Sequence, residues 1–203
     1  MAIDTGASAL GLVGPMPSGP GIISNEMIAI IAQAVADYPV ETFLLTNETT
    51  VEGIYDHYQK VKTTTIQLVD KIEKEGHARL KELLPEVKII QVLHVLDEKT
   101  IEEAERLMHY VDALLLDSGN PNLKVKTLGG TGNTHNWEIS KSIVMKSKIP
   151  VWLAGGLKPE NVESAINTVQ PYGLDLCSGV RTNGNLDVNK LLSFFDKVKN
   201  ARN

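Results

Sequence analysis

Seven times along this chain a short, β-rich apolar run gives way to an amphipathic segment, and this alternation constrains the fold more than any single motif. The runs are Ala9–Gly14, Val40–Leu45, Thr63–Val69, Val87–Leu93, Val111–Leu116, Val151–Gly155 and Gly173–Gly179. The helical segments between them are Ser24–Asp37 with Ser24 as N-cap, Asn47–Lys60, a helix capped by Asp70 and ending near Leu84, Glu98–Tyr110, Trp137–Lys146, Pro159–Val169 and finally Leu186–Val198. Several runs are apolar on both sides, as parallel strands covered on both faces should be. Repeated βα units with short connections predict an α/β fold with a parallel sheet, either doubly wound or a barrel. A spacing of about 25 residues per unit favours a TIM (β/α)8-type barrel. The first run lacks the glycine fingerprint of a dinucleotide-binding sheet, which counts the same way. Such a barrel needs eight strands, and seven are visible. Because Met1–Gly6 reads as a helix tail stopped by glycine, the first strand is expected to be the missing one. Residues 1–203 then form a single, N-terminally short barrel domain, with an open seven-stranded sheet as the alternative.

Bulk properties exclude several function classes. A net charge of −5 without a Lys/Arg-rich block argues against a nucleic-acid partner. No apolar run approaches about 18 residues, so no membrane partner is expected. The single cysteine, Cys177, rules out an internal disulfide and suits a reducing compartment. The start has no basic n-region of a signal peptide, which makes a cytoplasmic location the expectation. A small anionic ligand stays open, because backbone N–H groups hold anions whatever the net charge.

The loops where strands end carry the chemistry. Active sites of parallel barrels gather there, and phosphate often sits on the loops after strands seven and eight. With one strand missing, "LAGGLKPENV" (Leu153–Val162) is the first of these loops and "LCSGVRTNG" (Leu176–Gly184) the second. Gly155 and Gly156 let backbone approach an anion. Ser178 offers a hydroxyl, and Gly179 exposes backbone N–H, with a short helix start after it aiming its positive end at the same place. Asp117 stands at the end of its run, where a carboxylate would face the barrel mouth; a local turn hydrogen bond with Ser118 is the alternative. The segment Leu116–Ser140 is too long for a bare connection, and its "GGTG" (Gly129–Gly132) suits a lid. His94 follows its strand and is best read as an ordinary hydrogen-bonded histidine. His135 and Trp137 flank a ligand or anchor the long loop, and Cys177 reads as a small buried hydrophobe. No His/Cys/Asp/Glu set has metal-ligand spacing.

Taken together, "GASALGLV", "ALLLDS", "LGGTGNTHNW", "VWLAGGLKPENVESAI" and "QPYGLDLCSGVRTNG" resemble the phosphoribosylanthranilate isomerase (TrpF) family of tryptophan biosynthesis, over nearly the whole chain. The resemblance implies a (β/α)8 barrel that carries out an Amadori rearrangement of N-(5-phosphoribosyl)anthranilate by general acid/base catalysis, with no cofactor or metal. It implies Asp117 as the acid, and Gly155, Gly156, Ser178 and Gly179 as the holders of a small sugar-phosphate substrate. Gln67, Gly130 and Arg181 are weaker substrate-binding candidates, Arg181 as a partner for the anthranilate carboxylate. The family's base is a cysteine in a "K-I-C-G" segment on strand one, and that segment is absent here. The arginine after strand two is replaced by "MPSGPG", and the histidine of "Q-L-H-G" by "IQLVD". These departures leave the base unassigned, with His94 and Asp70 the first residues to test. The competing readings are a non-catalytic sugar-phosphate-binding barrel that has lost the strand carrying the base, and an isomerase of another ribose phosphate. A homo-oligomer stays open.

Overall fold

A computed structural model describes residues 1–17, 20–119 and 134–201. Its seven parallel strands are β1 (Ala9–Val13), β2 (Glu41–Thr46), β3 (Thr65–Leu68), β4 (Lys88–His94), β5 (Ala113–Asp117), β6 (Val151–Leu153) and β7 (Gly173–Leu174). They pair in strictly sequential order, so each crossover helix returns the chain to the next position of one sheet. The helices are α1 (Ala2–Thr5), α2 (Asn25–Ala34), α3 (Val51–Val61), α4 (Gly76–Leu83), α5 (Lys99–Leu107), α6 (Trp137–Lys146), α7 (Val162–Val169) and α8 (Val188–Ala201).

Two apolar layers follow from the strands' two-residue period. One face of the sheet packs Leu68, Ile89, Leu93, Leu114, Leu116 and Leu153 against helix residues such as Ile54, Leu80, Ile143 and Val162. The other face curls inward and gathers Phe43, Val69, Ile90, Val92, Leu115, Trp152 and Ala154. Both faces of the central strands are therefore buried, and all five residues of β5 are covered. Strands β1 and β7 are the two ends of the sheet. Between them lies a cleft of about 690 Å3, lined by Gly11, Phe43, Gln67, Trp152, Asp175 and Phe194 among others.

Element ends agree with local chemistry. Ser24 Oγ accepts from Met27 N–H and caps α2, as expected. Gly6, at φ +115°, ends α1 in the left-handed region, which suits a residue without Cβ. Three expectations are corrected. Asp70 does not cap a helix: α4 begins only at Gly76, and the Asp70 carboxylate accepts from Lys71 N–H instead. The seventh strand pairs over Gly173–Leu174 alone, after which the chain turns into a 3-10 turn at Ser178–Val180 that contains Gly179 rather than following it. Leu186 belongs to a small hairpin, β8 (Arg181–Thr182) with β9 (Asn185–Leu186), and α8 starts after it.

Candidate active site

The register brings the predicted residues together. Leu115 of β5 lies opposite Trp152 of β6, and Trp152 opposite Gly173 of β7. All three positions face inward with Trp152, so two residues further along Asp117, Ala154 and Asp175 face inward too. Asp175 N–H donates to Leu153 O at 2.9 Å and keeps this alignment just past β7. The result is a small cavity of about 40 Å3, whose walls include Asp117, Gly155, Gly156, Asp175, Cys177 and Ser178.

The two glycine loops are shaped for close approach. Gly155 and Gly156 both have positive φ, +81° and +63°. A Cβ on Gly155 would stand 2.8 Å from the backbone nitrogen and side chain of Ser118. A Cβ on Gly179 would stand 1.8 Å from Leu157 O, so one loop rests its backbone directly on the other. Asn161 pins the first loop at both ends: its amide donates to Gly156 O, and its carbonyl oxygen accepts from Lys158 N–H, each at 2.9 Å. Sequence reasoning passed over Asn161, which sits five residues beyond the glycine it holds.

Asp117 is 7% exposed, and its carboxylate accepts from Ser118 N–H at 2.7 Å. Strand-end placement and the local hydrogen bond, posed as alternatives from sequence, both hold. Burial pushes its carboxyl above the usual range, while the Ser118 hydrogen bonds pull it back. Asp175 is the residue sequence reasoning missed. Burial first, and then the neighbouring Asp117, push its carboxyl up to about 6. Its sequence signal was its place two residues after Gly173, on the same face of the strand.

The remaining candidates scatter. Gln67 is buried on β3, faces inward opposite Ile90, and lines the large cleft. Arg181 is committed to the hairpin, where its guanidinium donates to Gly184 O at 2.7 Å. Cys177 is half-buried on a loop rather than hidden in a strand, and borders the small cavity. His94 ends β4 opposite Asp117; its Nε2–H donates to Val69 O at 3.3 Å, and burial holds it neutral. His135 bonds Ser140 Oγ through Nε2 at 2.7 Å, which ties the loop end to α6. Gly130 and the rest of "GGTG" lie outside the described residues. Among the described residues no group of three or more His, Cys, Asp or Glu side chains is placed to hold a metal ion, and no helix is long and apolar enough to cross a membrane.

A curled sheet of seven sequentially paired parallel strands with βα crossovers defines an α/β fold of the TIM type. Comparison narrows this to one family. The profile of the N-(5'phosphoribosyl)anthranilate (PRA) isomerase family matches residues 3–197, and the chain belongs to that family. The N-(5'-phosphoribosyl)anthranilate isomerase of Microcystis aeruginosa is 34% identical over 198 residues, covering 97% of this chain and 90% of the relative. N-(5'-phosphoribosyl)anthranilate isomerase 2 of Methanosarcina mazei is 34% identical over 202 residues, covering 98% and 88%. The crystal structure of the Thermotoga maritima phosphoribosyl anthranilate isomerase superposes with a TM-score of 0.81 at 27% identity, covering 98% of this chain and 91% of that one. A second isomerase structure, in complex with reduced 1-(o-carboxyphenylamino)-1-deoxyribulose 5-phosphate, gives 0.78 at 25% identity with the same coverage.

Proposed function

We propose that this chain is an N-(5'-phosphoribosyl)anthranilate isomerase, an intramolecular oxidoreductase that turns the aminated ribose into a ketose. The observation that carries the reading is the meeting, in one cavity, of Asp117 and the two glycine loops. Those loops bind the phosphate: Gly155 and Gly156 bring backbone without side chains to the cavity wall, Ser178 adds a hydroxyl there, and Gly179 lets its loop close on Leu157. The cavity alone is too small for the whole substrate, so the sugar and anthranilate extend beyond it over the inner face of the sheet, where Gln67 lies.

With the phosphate anchored, Asp117 gives its proton to the ribose ring oxygen. The C1–O bond breaks with its electron pair on that oxygen, and the anthranilate nitrogen lone pair forms the C1=N bond of a Schiff base. Burial suits Asp117 to this task, because it favours the protonated carboxyl. The protonated Schiff base then acidifies the C2–H bond, whose proton leaves to a base.

The test is the fluorescence decay of N-(5'-phosphoribosyl)anthranilate with purified chain. Asp117→Asn is expected to lower kcat by roughly 10²–10⁴-fold, with calorimetric affinity for ribose 5-phosphate retained. A wild-type chain without turnover overturns the isomerase reading. Unchanged turnover in Asp117→Asn removes Asp117 as the acid.

A further inference from the structure

We infer that His57 is a positioning residue of this site: a neutral imidazole, held in one tautomer between Thr46 and Asn25, fixes the connection after β1 against the inner face of the sheet. The inference rests on the isomerase reading and supplies a latch for the side of the site away from the phosphate.

The connection leaves and rejoins the sheet at the same strand end. Gly14 N–H donates to Leu45 O, and Ile23 N–H donates to Val13 O, each at 3.0 Å. Ile22 forms a parallel bridge with Val13. Between these two feet Met16 reaches back onto the inward apolar layer, which includes Val69, Val92, Leu115 and Ala154. Ala154 also borders the small cavity beside Asp117. Met16 therefore shares an apolar layer with the cradle, on the face where the rest of the substrate extends. A shift of the connection moves Met16 on that face.

Both feet meet one side chain of a neighbouring helix. His57 of α3 is 7% exposed. Its Nδ1 lies 2.8 Å from Thr46 Oγ1, and its Nε2 lies 2.9 Å from Asn25 Oδ1. Thr46 ends β2, and Asn25 opens α2 two residues after the second foot. The edge of the ring rests on the first foot: a Cβ at Gly14 would fall 2.5 Å from Cε1. Hydrogen-bond supply fixes the tautomer. Thr46 is fully buried, and its Oγ1 accepts from Glu48 N–H at 3.3 Å. Among the described residues His57 Nδ1 is the one acceptor for the hydroxyl's own hydrogen. Nδ1 therefore takes that hydrogen, and Nε2–H donates to Asn25 Oδ1.

This arrangement holds only while the ring is neutral. A proton on Nδ1 would strand the Thr46 hydrogen without an acceptor and place a charge in a buried site. Burial holds the imidazole below its ordinary value; Glu48 pulls it back up, and Lys60 pushes it further down. Asn25 on α2 and Gly14 on β1 bring no charge. The latch is closed at neutral pH and opens as acid protonates the ring.

The experiment compares wild type with His57→Ala and His57→Gln from about pH 8 to pH 5, by steady-state turnover and by the methyl resonance of labelled Met16, assigned with Met16→Leu. At pH 8, His57→Ala is expected to raise KM for N-(5'-phosphoribosyl)anthranilate by about tenfold or more, with a smaller fall in kcat. His57→Gln keeps an N–H for Asn25 and carries no titrating group, so its KM is expected within about threefold of wild type at pH 8. The substrate phosphate gains a proton over this range equally for every variant. KM in wild type is expected to rise more steeply toward pH 5 than in His57→Gln, and the Met16 resonance to move with pH in wild type alone. If the Ala variant does not fold, Asn25→Ala takes its place with the same expected rise in KM. A KM for the Ala variant within about threefold of wild type, or equal pH dependence in wild type and His57→Gln, overturns the latch and leaves the isomerase reading intact. A wild type without turnover overturns the isomerase reading, and the Met16 resonance then decides the latch alone.

Discussion

Gly179→Ala isolates the loop–loop contact on which the proposed phosphate cradle depends. The added methyl would meet Leu157 O at 1.8 Å. Carbon–oxygen contacts settle near 3.3–3.6 Å, so the two loops must separate by roughly 1.5 Å. Neither partner is a flexible side-chain end: Leu157 is 2% exposed, and its loop is held by the Asn161 hydrogen bonds. Overpacking of this kind costs about 1–3 kcal/mol. For a chain of this size that lowers the melting temperature by about 2–12 °C. The functional effect should be larger, since a misplacement of about 1 Å costs on the order of 100-fold. Calorimetry with ribose 5-phosphate should show that loss, in a variant whose circular dichroism matches wild type. Gly184→Ala is the control. Its φ of +81°, unlike the backbone at Gly179, lies in the left-handed region and strains an added side chain by about 1–2 kcal/mol, yet nothing stands within 4 Å of the added carbon. It should lose stability and keep affinity. Equal affinities in Gly179→Ala and wild type would show that the loop–loop approach does not shape the cradle.

Asn161→Ala removes both clamps on the first glycine loop, and each hydrogen bond contributes about 1 kcal/mol. Thermal melts should fall accordingly, and KM for the phosphorylated substrate should rise more than kcat falls; an unchanged KM would make Asn161 a helix-start residue only. Asp175 also sets a pH dependence of stability. Its folded carboxyl is raised to about 6, whereas the unfolded one loses its proton near 3.9. Between these values the native state binds more protons, so its stabilising contribution is full below about pH 4 and lost as pH rises through about 6. Asp175→Asn should therefore melt higher than wild type at pH 8, by no more than about 3 kcal/mol, with the advantage gone at pH 4. An equal difference at both values would contradict the strained-carboxylate account.

Much of the fold was legible because parallel strands need long apolar runs and their crossovers need amphipathic helices. The runs ending at Leu45, Leu93 and Leu116 each fall within one residue of an observed strand end. What failed had local causes. At Gly173–Gly179 the residues look β-rich, but the chain must leave the sheet after Leu174 to bring Gly179 under Leu157, a requirement set by another loop. At Asp70 a plausible cap precedes a helix that instead begins at Gly76, with Glu75 in the left-handed region. The placement of Gly155, Gly156 and Asp117 at strand ends around one cavity was legible because strand-end position and backbone permissiveness leave local signals. Asp175 and Asn161 were not, because their meaning lies in what they face across the fold.

The convergence itself follows from strand order. Asp117, the Gly155–Gly156 pair and Asp175 are far apart in the chain, yet they stand at the C-terminal ends of three consecutive strands of a sequentially paired sheet. Parallel pairing puts the C-terminal ends of those strands side by side, and the two-residue period puts Asp117 and Asp175 on one face. A slip of one residue in β7 would turn Asp175 toward the helices and leave the cavity with a single carboxyl group. That register is held where Gly173 meets Trp152: a Cβ at Gly173 would fall 2.5 Å from the indole ring. Trp152 in turn packs edge-on against Phe43 and Tyr172. The aromatic contact below the site thus selects the one alignment in which two carboxyl groups crowd a common cavity. The electrostatic strain that raises the Asp175 carboxyl arises from that constraint.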